Sequence, residues 1–86
     1  MKVRVRLKSG AKIELQVLDL SPIGCLIDRR GWSAQADDRV LIQFDGLGFQ
    51  PGKVLWVEDD LAGVEFEQLL HEAVLERLKG ELASAA

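Results

Sequence analysis

The sequence holds one cysteine, one histidine and two prolines. It has no apolar run near the ~18–20 residues that a membrane helix requires. A lone Cys25 closes no internal disulfide, which fits a reducing, cytoplasmic setting. The opening Met-Lys-Val-Arg-Val-Arg is too polar and too regularly alternating for a secretory signal. No CxxC, HExxH or aspartate-rich calcium loop occurs, so no metal is expected. Gly46-Leu47-Gly48 lacks the rest of a dinucleotide fingerprint and opens no helix, so no nucleotide cofactor is expected either. No set of titratable side chains converges as a catalytic site would need, and the chain reads as a binding module, not an enzyme.

What is present is enough for one small core. The chain has 86 residues, 48% of them hydrophobic and 29% charged, too apolar for disorder and long enough for a single domain over residues 1–86. The net charge is −3 but uneven: residues 1–40 carry eight Lys/Arg against five Asp/Glu, and residues 41–86 carry three against nine. An acidic chain is a poor general nucleic-acid binder, although a local basic face near the N-terminus is compatible with the sequence.

The apolar pattern has a period of two for most of its length. In residues 2–8, Val3, Val5 and Leu7 alternate with Lys2, Arg4, Arg6 and Lys8, the signature of a half-buried strand. Ser9-Gly10 supplies a turn, and residues 12–18 alternate again with Ile13, Leu15 and Val17 on one face. Asp19-Leu20-Ser21-Pro22-Ile23-Gly24 interrupts the run: Pro22 favours a turn, Asp19 and Ser21 can cap nearby amides, and Gly24 can adopt backbone angles closed to other residues. Further strands are expected at residues 25–28, 39–45, 53–58 and 62–66. A loop at 29–38 and turns at 45–48 and 59–60 separate them. Val54 and Trp56 are placed on one face of the fifth strand. From Glu67 the period lengthens, and Leu70, Val74, Leu78 and Leu82 recur every fourth residue, a helix stripe. Gly80 marks its expected end, with residues 83–86 as a frayed tail. Six short strands and one amphipathic helix predict a mainly β fold: a six-stranded antiparallel barrel over about 2–66, with a C-terminal helix over about 67–80 covering an end or flank.

Single reactive or aromatic residues are read conservatively. Cys25 begins an apolar strand and is expected to be a buried, inert thiol. His71 falls in the first turn of an acidic helix, as a solvated or packed side chain. Trp56, in mid-strand, is expected in the core. Trp32, beside Arg29-Arg30, either folds onto the barrel or offers a face for stacking on a base.

Asp19-x-Ser21-x-x-Gly24, at the junction of the second and third strands, resembles the DxSxxG signature of PilZ domains. "KVLWV", a two-residue turn and "AGVEF" are similar to that family's closing hairpin, and a helix follows in both. The resemblance covers residues 3–80 and implies a six-stranded barrel that receives cyclic di-GMP, a bacterial second messenger. It implies that Asp19, Ser21 and Gly24 line the site: a carboxylate can accept from a guanine N1–H and N2–H₂ edge, and a hydroxyl and bare backbone allow close approach of a sugar phosphate. The family's second signature, RxxxR, lies ahead of the first strand. Here the chain starts eighteen residues before Asp19, and Arg4 and Arg6 are spaced RxR, with Arg4-x-x-x-Lys8 and Lys2-x-x-x-Arg6 as approximate matches inside the strand. Arginines at such a site would grip guanine edges and phosphates through charge-assisted hydrogen bonds worth roughly 1.5–3 kcal/mol each. Arg4, Arg6, Arg29 and Arg30 are therefore secondary candidates, and an RxxxR upstream of Met1 would mark the start as a truncation.

Two functions follow. One is a cyclic di-GMP receptor that signals through a partner protein or through self-association. The other is a PilZ-like adaptor without the nucleotide, acting through protein contacts made by its helix or a sheet edge.

Overall fold

The alternating segments pair as six antiparallel strands in the computed structural model, which describes residues 1–84. They are β1 (Lys2–Arg6), β2 (Lys12–Ser21), β3 (Gly24–Asp28), β4 (Arg39–Gln43), β5 (Phe49–Glu58) and β6 (Leu61–Phe66), followed by α1 (Glu72–Ser84). The order around the closed barrel is β1-β2-β3-β6-β5-β4, so β1 and β4 seal the seam and no strand edge is left open. This is the mainly β barrel with a C-terminal helix that the pattern predicts.

Inward positions of all six strands form one core, with Val5, Val17, Ile27, Ile42, Phe44 and Val54 among its most enclosed side chains. Cys25 is buried with them, and burial pushes its thiol up to about 12. The two barrel ends are closed differently. At one, Trp32 and Ala34 fold in from the loop after β3, and Trp32 meets Leu7, Ile13 and Val40 around a shared recess. Trp32 is only 6% exposed, so it closes the barrel and presents no stacking face. At the other, Leu75 and Leu78 of α1 are buried, with Val74 and Leu82 packed beside them. Phe44 and Phe66 meet there edge-to-face, with centroids 6.0 Å apart and planes at 80°, an arrangement worth about 0.5–1.5 kcal/mol beyond area burial. Arg77 on α1 donates to the Asp45 carbonyl and ties the helix to the β4–β5 turn.

The helix differs from the expected span. Residues 67–71 are not helical but form a connector tied to the barrel: Glu67 N–H is donated to Pro51 O and Leu70 N–H to Pro22 O. Leu70 is buried, but from the connector. His71 lies just ahead of α1, and its Nδ1 accepts the Ala73 N–H, serving as the N-cap. Gly80 does not end the helix, which continues through the expected tail residues Ala83 and Ser84; Ala85 and Ala86 lie outside the described residues.

β2 and β5 are longer than expected, ten residues each, because each absorbs a β-bulge. The pairing shifts register between Val17 and Asp19 on β2, and between Val54 and Trp56 on β5. An extra residue turns the following side chain to the other face without ending the ladder. This corrects the placement of Trp56. Val54 points inward as expected, but Trp56, two residues on, stands outside at 41% exposure.

Candidate functional site

The two bulges act on the same stretch of outer surface. Register pairs Asp19 with Leu26, Leu26 with Gly63, and Gly63 with Trp56, giving one cross-strand row over β2, β3, β6 and β5. A second outward row runs Ser21, Gly24, Glu65, Lys53 and on to Arg39. Between the rows lies a shallow depression of about 210 Å³, lined by Asp19, Ser21, Gly24, Trp56, Gly63 and Glu65 among others.

Two glycines make its floor. A Cβ on Gly24 would strike the Val64 carbonyl oxygen of β6, and a Cβ on Gly63 would fall within the Trp56 indole. Gly24 is thus required for close approach of two strands and not for a positive φ, which it does not adopt. The expected six-residue interruption shrinks to a two-residue turn, Pro22-Ile23, between the paired Ser21 and Gly24. The Pro22 and Ile23 carbonyls accept from Leu70 and Phe66, which clamps this turn to the end of β6.

The polar motif side chains also serve the local backbone. Asp19 Oδ1 accepts the Leu20 N–H at 2.9 Å, which fixes the carboxylate on the bulge while the residue stays exposed. Ser21 Oγ accepts from Ile23 N–H and donates to Gly24 O, both at 3.3 Å, so its hydroxyl is engaged within the turn. Asp19 and Glu65 are the charged groups of the lining, and no Lys or Arg belongs to it. The nearest cation in register is Lys53, opposite Glu65; its Nζ lies 3.9 Å from Asp37, a long, exposed contact.

The structure brings Asp19, Ser21 and Gly24 together and leaves the four secondary arginines elsewhere. Arg4 and Arg6 point outward from β1, on the opposite side of the strand order from β6. Arg4 borders a recess with Lys2, Glu14 and Gln43, and Arg6 another with Lys8 and Arg39. Arg29 and Arg30 follow the far end of β3. Arg30 forks onto Asp28, with Nη2 to Oδ2 at 2.6 Å and Nε to both carboxylate oxygens at 3.0 Å. That contact holds the Asp28 carboxyl below its ordinary range and the Arg30 guanidinium above its own. Arg29 N–H is spent on the Asp60 carbonyl, and its Nε is buried without a partner.

Sequence reasoning missed Trp56, Gly63 and Glu65 as site residues. The available signal was the loss of alternation at Val17-Leu18 and Val54-Leu55-Trp56, adjacent apolar residues that a regular half-buried strand does not contain. Ile23, Leu55 and Trp56 are exposed around the depression, and Leu18 is exposed next to Asp19 on β2, together an apolar collar.

No helix among the described residues is long and apolar enough to cross a membrane. A family model described as PilZ domain matches residues 1–83. No curated protein matches the sequence.

Proposed function

The chain belongs to the PilZ family, typically non-catalytic modules that generally bind cyclic di-GMP, and on that premise we propose that it binds this nucleotide on its β2–β3–β6–β5 face. The observation that carries the reading is the row from Asp19 to Trp56 across Gly63. A guanine stacks on the indole, and base–aromatic stacking contributes about 1–3 kcal/mol per base. The Asp19 carboxylate accepts from a guanine N1–H and N2–H₂ edge, a charge-assisted pair. Gly24 and Gly63 keep the floor low enough for the sugar-phosphate ring to approach. Lys53, three residues from Trp56 on β5, lies within about 10 Å of the indole's strand position and supplies counter-charge to a phosphate. Nucleotide binding then changes this face for a partner protein.

Calorimetric titration with cyclic di-GMP tests the reading. Saturable heat that disappears in Asp19→Asn supports it; absence of heat at high micromolar ligand rejects it.

A second reading rests on the apolar collar and on a lining without cations. In it, the same face docks a protein directly and the nucleotide plays no part. Leu18, Ile23, Leu55 and Trp56 then act as contact residues, and the titration above separates the two.

A further inference from the structure

On the β1–β4–β5 side of the barrel, a recess of about 360 Å³ shares no lining residue with the Asp19–Trp56 depression. Its floor follows from register. Arg6 pairs with Leu41 and Leu41 with Pro51, so these three form one outward row across β1, β4 and β5. Pro51 fits mid-strand because β6 pairing begins only at Gly52, where no N–H of residue 51 is called upon; its carbonyl accepts from Glu67. Leu41 and Pro51 thereby give an apolar floor, and Arg6, Lys8 and Arg39 stand around it with Glu67 as the single anion.

The charges here are underused. Arg39 and Glu67 touch only at 3.9 Å, with the arginine side chain 81% exposed. Arg6 and Lys8 form no ion pair among the described residues, whose bridges are Arg30–Asp28, Arg39–Glu67 and Lys53–Asp37. Three cations beside one acid, on a floor without polar side chains, match a ligand with a compact double negative charge on an apolar body. Arginine is suited to such groups because its planar fork meets phosphate oxygens two at a time. The volume lies within the range of small-molecule sites.

We propose that this recess is a second ligand site, for a small phosphate monoester whose organic part rests on Leu41 and Pro51 while its phosphate is held by Arg6, Lys8 and Arg39. The site is independent of the cyclic di-GMP reading: the two recesses share no lining residue, and Arg39 is only the far end of the row that borders the depression.

The test is an amide-resolved NMR titration of the whole chain with phenyl phosphate. Saturating shifts confined to Arg6, Lys8, Arg39, Leu41 and Gly52 are expected, with inorganic phosphate binding several-fold more weakly for want of an apolar body. The double variant Arg6→Ala/Arg39→Ala should weaken binding at least tenfold, and Glu67→Gln should tighten it by removing the opposing charge. Asp19→Asn should leave phenyl phosphate binding in place, so loss of one site does not imply loss of the other. Unsaturating shifts spread equally over Lys2, Arg4 and Lys12, or equal affinity for phenyl phosphate and inorganic phosphate, would overturn the proposal. So would stronger competition by a DNA duplex than by phenyl phosphate, which would mark a general polyanion surface.

Discussion

The indole of Trp56 occupies the space that a side chain at Gly63 would fill. The two residues are paired in register across β5 and β6, and the β5 bulge turns the indole outward over the glycine. Trp56 is thereby held against the barrel wall while staying exposed, and an exposed, positioned indole is what a stacking platform needs. Gly63→Ala should displace the indole without unfolding the barrel, because a side chain can rotate away where a backbone cannot. The expected result is an altered Trp fluorescence spectrum, a cost on the order of 1–3 kcal/mol from local overpacking, and weakened nucleotide binding.

Gly24 offers the opposite case. The obstacle to a Cβ there is the Val64 carbonyl, part of the β3–β6 ladder, and no side-chain motion relieves it. Gly24→Ala should therefore separate β3 from β6 and lower stability by about 3 kcal/mol or more, read as a drop in denaturation midpoint with the denaturant slope unchanged. Gly24→Ala in a ligand assay would report folding, not recognition.

Asp19 can be dissected more cleanly. Its Oδ1 caps the Leu20 N–H, a role that the Asn side-chain oxygen can also perform. Asp19→Asn should keep the thermal midpoint within a few degrees of the parent while replacing one of two guanine-facing acceptors by a donor. Asp19→Ala should lose both the cap and the ligand, with a stability cost of about 1 kcal/mol. A fall in affinity for Asp19→Asn with stability intact assigns the carboxylate to recognition; equal affinity for the parent and Asp19→Asn confines it to the turn.

Cys25 gives a pH dependence whose sign is set by burial. Its thiol is raised from the ordinary 9.0 to about 12 in the folded chain. Between those values the unfolded chain releases a proton that the folded chain retains, so stability is intact below pH 9 and falls as pH rises, by up to about 1.4 kcal/mol per unit. The sequence has no tyrosine, so no phenol titrates over the same interval. Comparison of denaturant midpoints from pH 8 to 11 should show a flatter alkaline limb in Cys25→Ala than in the parent.

Much of this was legible in the residues. Strict alternation in β1 and in the first half of β2 fixed both strands and their inward faces. The Asp19–Gly24 spacing located the corner. What escaped was the detail that depends on register and on long-range bonds. Trp56 sits two residues from an inward Val54, and only the register shift against Gly63 reveals that it faces out. Trp32 allowed two readings from sequence, and its burial at the barrel end selects the one in which it folds onto the barrel. The helix begins only at Glu72, capped by His71, after a connector bonded to the barrel through Glu67 and Leu70, long-range contacts that a four-residue stripe does not encode. The candidate arginines proved distant from Asp19 along the strands: Arg4 and Arg6 pair with Glu14 and Lys12 at the other end of β2, and Arg29 and Arg30 follow the end of β3 away from Gly24.

The account rests on a base lying over Trp56, and intrinsic fluorescence reads that contact. Titration of the chain with cyclic di-GMP should quench emission saturably, and the quench should vanish in Trp56→Phe, where Trp32 remains as the buried reference. Trp56→Ala should weaken affinity about 5- to 150-fold, the span of one base stacking contribution. Emission unchanged up to millimolar nucleotide, or a quench that survives intact in Trp56→Phe, would contradict it.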